Sequence, residues 1–430
     1  MNITKILIIG AVAFTLIFIF LIYLGVIPGL KIGAEQKSVA LDVWGVFDDS
    51  DAMLPLIQTF QLNNPGVTIN YRKKSIQNYE EELVRAFAAG KGPDIFMISN
   101  TWAPKFRDLL MPAPSDLISI NDFQKRFVDV VQRDFTYQGN IYGIPLYVDS
   151  LALYYNIDLF NSAGLIDPPK DWDEFEKYAK LLTKRDSKGD ILVSGAALGS
   201  GKNVLNSADI LSLLMIQNGS NISDPQKGEI IFDKEQAVGS SKALKFYTQF
   251  AKPEDPSYSW SQNFKADSQE MFALGRVAML FGYSWTKNSI IQKAPRLRFT
   301  SAYMPQIKDS IVKKNYANYW GYGIYAKSSD AVVAWKFLKF LSDPKNAGFY
   351  LSQVKYPASQ RSILTIQKDD SNLLIFANQA LSATSWLQIN DTLVKNVFID
   401  MLDQHVASEQ AESLALRKAA AEINSKILSK

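Results

Sequence analysis

Cysteine is missing from all 430 residues, which excludes disulfides, thiolate metal sites and a cysteine nucleophile. Histidine is nearly missing. A Ser-His-Asp triad or an imidazole metal cluster would have to use the single His405, and nothing beside it is arranged for either. Its place near the start of the C-terminal helix reads as surface or packing. A dominant charge is missing too: the net formal charge is only +3, so neither a nucleic-acid footprint nor an acidic tail is indicated. There is no internal repeat, heptad run or low-complexity tract. No metal or cofactor is implied.

What is present is length enough for two sizeable cores and an aromatic content of 12%, including 8 Trp and 19 Tyr. Beyond the short segment 1–5, Ile6 to Ile27 is a run of 22 uncharged residues. As a helix it would span about 33 Å at about 1.5 Å per residue, enough to cross a hydrocarbon core. A cleaved signal has an apolar stretch of about 7–15 residues ending in small residues. Here the run is longer, and Val26-Ile27-Pro28-Gly29-Leu30 offers no such site. The run therefore reads as an uncleaved transmembrane signal-anchor helix, with a cleaved signal and a buried core helix as alternatives. Lys5 lies on one side and Lys31 and Lys37 on the other, so charge alone does not set orientation.

Residues 28–38 read as a linker, and the body then alternates. Val39 to Val46 is a buried first strand, Asp48-Asp49-Ser50 offers N-caps, and Met53, Leu54, Ile57 and Phe60 recur at helical spacing. Asn64-Pro65-Gly66 turns the chain into a second strand, Val67 to Tyr71. Tyr79 to Ala89 is the next helix, and Gly90-Lys91-Gly92-Pro93 precedes the strand Asp94 to Ile98. Such alternation argues for an α/β lobe with a largely parallel sheet. Further on, Asp171 with Glu174 forms a capping box. Helices are expected near 207–217, 235–250 and 267–275, strands at Phe299 to Met304 and Tyr319 to Ala326, and an amphipathic helix at the C-terminus.

Residues 142–182 are the most informative stretch. A Tyr-Gly-Ile-Pro segment leads to Asp149 among apolar and aromatic neighbours, then to Tyr154-Tyr155-Asn156, an Ala-Gly-Leu, a double proline and a Trp-led helix. With it go the first β-α-β unit at 41–72, the Gly90 to Ile95 turn, the helix-to-strand step at 272–286 and the return strand and helix at 319–342. These five blocks, in this order, resemble the extracellular solute-binding protein family of the carbohydrate ABC-transporter type, similar to maltose-binding proteins.

The resemblance implies an α/β, two-lobed fold of the periplasmic-binding-protein type (type II), each lobe a mainly parallel sheet flanked by helices. It implies a first lobe of 39–148 plus 319–350 and a second of 149–318 plus 351–430. It implies capture of a mono- or oligosaccharide by lobe closure, with hinges near 148–150, 313–319 and 350–356, and delivery to ABC-transporter permease subunits in the membrane. The chain would be a monomer and no enzyme, with its body on the extracellular side. Many relatives are tethered through a lipid-modified cysteine. Without one, the N-terminal helix must hold this chain to the lipid bilayer.

Sugars present hydroxyls and flat C–H faces, so a site for them combines aromatic plates with convergent polar groups. Asp149 is the leading candidate, because a lone carboxylate in an apolar context is costly unless paired or occupied by a ligand. Pairing with an arginine or backbone amides is its alternative. Trp285 and Trp386 match the family's stacking positions. Trp102 and Trp44 sit at predicted strand ends, Trp320 and Tyr322 at the head of a strand, and Arg361 in a segment resembling one near the family's cleft. Trp172 and Trp335 read as core.

Ala196-Ala197-Leu198-Gly199-Ser200-Gly201-Lys202-Asn203 mimics a phosphate loop but lacks its first Gly and final Ser or Thr. It reads instead as a Gly/Ser loop at the cleft, with Asn203 within reach of hydroxyls. Asp186 to Asp190 is too short for a calcium loop. Two other functions stay open: a surface carbohydrate hydrolase, which needs two carboxylates about 5–10 Å apart, and a same-fold sensor or adhesin. Polyamine, phosphate-ester and metal-chelate ligands also stay open.

Overall fold

The computed structural model describes residues 3–23, 38–48, 50–224, 227–234, 237–388, 390–408 and 410–428. The end of the expected anchor (24–27), nearly all of the linker (28–37) and Asp49 among the expected caps lie outside them. The apolar run at the N-terminus forms a helix, Ile3–Tyr23. Its side chains are described from Gly10 to Ile22, where Phe14, Leu16, Ile17 and Phe20 are all exposed. Among the described residues, no helix is long and apolar enough to cross a membrane.

In the body, β1 (Val39–Gly45) and β2 (Val67–Lys73) flank the helix Ser50–Asn63, and β3 (Ile95–Ser99) follows the helix Tyr79–Ala88. Parallel strands need a crossover helix between them, and β1 pairs in parallel with both β2 and β3. Every residue of β3 is buried, as expected of a central strand covered on both faces.

The chain enters the second lobe through β4 (Asp149–Ser150) and β5 (Ala152–Asn156). There the strands are β6 (Lys184–Arg185), β7 (Ile191–Ala196), β8 (Val277–Gly282) and β9 (Phe299–Ala302). The helix Trp172–Leu182 begins at Asp171, whose carboxylate accepts the Glu174 N–H while Glu174 accepts that of Lys170. Then β10 (Asn315–Asn318) and β11 (Trp320–Ile324) return the chain, and β12 (Ala383–Thr384) lies in the C-terminal part.

The first sheet has the order β11-β3-β1-β2, with β11 antiparallel to β3; the second has the order β9-β5-β8-β7-β6. The second sheet corrects the expectation of a mainly parallel one. Only β7–β8 is parallel, whereas β5–β8, β5–β9 and β6–β7 are antiparallel. The strand β5 arrives from the other lobe without a crossover helix, so nothing forces it parallel to its neighbours.

Two apolar cores result. Leu41, Phe96, Phe123 and Trp335 belong to the first, and Trp172, Phe175, Leu214, Trp260 and Phe281 to the second. Between them lies a small sheet of order β12-β10-β4, in which Asp149 pairs with Asn318 and Ser150 with Ala317. Ala358, Ile363 and Leu364 pack in the first core, although the sequence reading grouped 351–430 with the second lobe. Backbone bonds hold them there: Val148 N–H donates to the Pro357 carbonyl and Val128 N–H to that of Ser359.

His405 ends the helix Asp391–Ala407 rather than starting the last one. It is buried, and burial lowers its pKa. The final helix, Glu412–Leu428, sets Leu416, Ala420 and Ile423 into the second core.

Candidate functional site

Strands that end at a lobe boundary leave their following loops facing the gap, the place where open α/β sheets hold ligands. Here Phe47 follows β1, Asn100 and Thr101 follow β3, and Trp320 heads β11. All four line a cavity of about 690 Å³. The second lobe faces them with Asp209 from the first turn of the helix Ser207–Gln217, Trp285, and Asp391 and Lys395 from the helix Asp391–Ala407. Asn318 and Tyr319 of the crossing lie between. The volume falls in the range of small-molecule sites.

Aromatic surface comes from both sides. In the first lobe, the rings of Phe47 and Trp320 meet edge to face at 5.3 Å, and Trp320 meets Trp102 the same way at 4.8 Å. In the second, Trp285 is 39% exposed and stacks at 4.5 Å on the fully buried Tyr283. Tyr283 is held in turn. Its hydroxyl donates to Asp209, and its carbonyl accepts the hydroxyl of Tyr154. The lobes also touch directly, since Trp102 Nε1 donates to Asp391 Oδ2 at 2.9 Å.

Asp149 is not on the cavity surface. It is fully buried, and its two oxygens accept the N–H of Ser150, the N–H of Ser284 at 2.9 Å and the hydroxyl of Ser284. Burial pushes its carboxyl up to about 7, outweighing those three donors. The acid thus grips the residue next to Trp285 and holds that platform from beneath.

The other expected residues divide. Trp285 and Trp320 line the cavity; Trp102 stands directly behind its wall, bound to Asp391. Trp386 lines a different interlobe cavity, with Nε1 donating to Ser212. Trp44 is buried in the first core beneath the Lys74 ammonium, 3.9 Å from the ring centroid, and Tyr322 is a core residue of β11. Arg361 pairs at the surface with Asp129 at 2.6 Å.

Asn203 does not line either cavity. Its side chain accepts the indole N–H of Trp260 and donates to carbonyls of Ser261 and Phe264. The phosphate-loop mimic around it does bind an anion, one of its own: the N–H groups of Gly201 and Lys202 donate to the carboxylate of Asp403.

Four residues of the cavity, Asp209, Asn318, Asp391 and Lys395, carry no mark of a site in the sequence. Asp209 opens an otherwise apolar helix, and Asp391 begins one, so both resemble ordinary first-turn acids. In the fold, burial raises the carboxyl pKa of Asp209 against the lowering effect of the Tyr283 hydroxyl. Among the described residues, no group of acids and histidine is arranged to hold a metal ion. The site offers plates, amides, hydroxyls and two carboxylates, a surface suited to holding a neutral polyhydroxylated molecule.

The sequence profile described as bacterial extracellular solute-binding protein matches residues 45–348. A binding protein of Brucella abortus is 24% identical over 311 residues, 66% of each chain, so the match spans slightly under two thirds of that relative. A maltodextrin-binding protein of Bacillus subtilis is 26% identical over 310 residues, 68% of this chain and 67% of the relative. In fold, the sugar-binding protein MalE from Xanthomonas citri superposes with a TM-score of 0.76 at 19% identity, covering 91% of this chain and 98% of that one.

Proposed function

Because the chain belongs to the bacterial extracellular solute-binding protein family, we propose that it is the sugar-capturing component of an ABC importer, taking a mono- or oligosaccharide between its lobes. The observation that carries this reading is the interlobe cavity of about 690 Å³ with indole surface on opposite sides, Trp320 and Trp285, and amides between them. Stacked aromatic faces match the C–H faces of a sugar, while Asn100, Asn318 and Asp209 answer its hydroxyls. The maltodextrin-binding relative supports the same ligand class. A ligand touching both lobes favours the closed arrangement by its differential affinity, and that arrangement engages the permease. The chain performs no covalent chemistry. Titration calorimetry against a panel of mono- and oligosaccharides gives saturable binding in the micromolar range or tighter; flat heats across the panel refute it.

The body is held at the outer face of the membrane by the segment Ile6 to Ile27. The support is the exposed apolar surface of Val12 to Phe20 in the helix Ile3–Tyr23, a stretch in which Thr15 is the one polar residue. Deleting residues 1–27 releases the chain into the soluble fraction, and retention in carbonate-washed membranes refutes the tether.

A second reading rests on Asp209 and Asp391, two carboxylates on one cavity that interact electrostatically. A glycoside hydrolase needs such a pair. Here Asp209 is engaged by Tyr283 and Asn318, and Asp391 by Trp102, which favours binding. Release of nitrophenol from chromogenic glycosides would reverse that order.

A further inference from the structure

We infer that the second interlobe cavity, on which Trp386 lies, is a separate binding site for a small ligand carrying a carboxylate or phosphate group. It measures about 860 Å³ and shares only Asn100 and Thr101 with the first. Both lobes build it, with Arg107, Arg133 and Tyr137 on one side and Ile222, Lys314 and Trp386 on the other.

Among the described residues, the arginines in ion pairs are Arg72, Arg126, Arg298 and Arg361. Arg107 instead lies over the Tyr137 ring, 3.5 Å from its centroid, and Arg133 donates to the Thr384 hydroxyl across the lobe boundary. Lys314 donates to the Ile216 carbonyl.

Two acids also line the cavity, and both are already occupied. Asp134 accepts from Asn100, Tyr319 and Ser385. Burial raises its pKa against those donors and the nearby Arg133, so it sheds its negative charge more readily than a surface acid. Asp224 accepts the Lys227 N–H and lies 3.8 Å from the Lys227 ammonium.

The two guanidinium forks therefore retain donors for a planar or tetrahedral oxyanion, the geometry for which arginine is suited. Aromatic walls from Phe135, Tyr142 and Trp386 would cover an attached ring. The first cavity has the opposite balance: no arginine among its described lining residues, and Lys395 set against Asp209 and Asp391.

The test is calorimetry of the full chain with inorganic phosphate, glucuronate and glucose 6-phosphate, with glucose as the neutral control. At least one anion binds saturably at or below about 10 mM. The double substitution Arg107→Gln, Arg133→Gln weakens it tenfold or more, whereas Trp285→Ala changes it less than twofold. Arg133→Lys, which keeps the charge and loses the fork, falls between and covers the case of a double variant that does not fold. No saturable heat from any of the three anions overturns the assignment. So does an affinity lost in Trp285→Ala and kept in the arginine variant, which would place the anion in the first cavity.

Discussion

Replacing Asp149 with asparagine turns a buried carboxyl into a pH experiment. In the fold its pKa is about 7; in the unfolded chain it is about 3.9. The folded value is the higher one, so the carboxyl's contribution to stability is fully present below about pH 4 and is lost as pH rises through about 7. Three units at about 1.36 kcal/mol each put the whole loss near 4 kcal/mol, of which about 2–3 kcal/mol falls between pH 5 and pH 8.5.

An amide at this position has no charge to lose. It places an N–H₂ group against the donors of Ser150 or Ser284, at a pH-independent cost of about 1–3 kcal/mol. Because about 1.5 kcal/mol of that loss already falls below pH 5, the variant lies within about 1.5 kcal/mol of the parent at pH 5 and is about 1–3 kcal/mol more stable than it at pH 8.5. Urea unfolding followed by tryptophan fluorescence, read on the transition of the second lobe, measures this. A stability difference constant across that window refutes the reasoning, because it would mean that Asp149 ionises in the fold as it does in water.

Further outcomes follow from individual contacts. Trp285→Ala weakens sugar binding tenfold or more in calorimetry, about 1.4 kcal/mol, with the circular dichroism spectrum intact; an unchanged affinity removes Trp285 from the site. Trp102→Phe keeps the ring packing with Tyr79 and Trp320 but loses the bond to Asp391. Spin labels on the two lobes then report a wider separation in the unliganded chain, and identical distance distributions count against a latch. Gly201→Ala sets a Cβ 2.3 Å from the Ile399 carbonyl oxygen, which must shift backbone, so urea melts show a loss of about 3 kcal/mol or more. Asn203→Ala strands the indole N–H of Trp260 at a cost of about 1–3 kcal/mol and leaves sugar affinity as it was.

Much of the local structure was legible because it depends on near neighbours in the chain. The capping box at Asp171, the helix 207–217 and the alternation through β3 follow from spacing and turn residues alone. Burial of Trp172 followed from its place at the head of a helix, and that of Trp335 from its apolar helical face. Less legible was anything set by partners far along the sequence. Asp149 looked like a ligand contact because, beyond the N–H of the adjacent Ser150, no partner for its charge lies near it in the chain. Its answer, Ser284, lies 135 residues away.

Asn203 and the loop 199–202 looked free to reach a sugar for the same reason. Asp403 and Trp260, which occupy them, arrive only through folding. Asp209 and Asp391 hid in the first turns of helices, where acids are expected on any protein. The direction of β5 in the second sheet was likewise invisible, since the path of the crossing, not a local pattern, sets it.

Taken alone, the chain's order of residues was enough for two α/β cores, an apolar N-terminal helix, the solute-binding family and an aromatic-rich body without cysteine. Periodicity, caps and motif order are written over a few residues at a time. Which indoles face the gap, which carboxylates are consumed and where a second cavity opens belong to the tertiary structure. Each depends on whether a polar group finds its partner across the fold, and that pairing is made by distance in space.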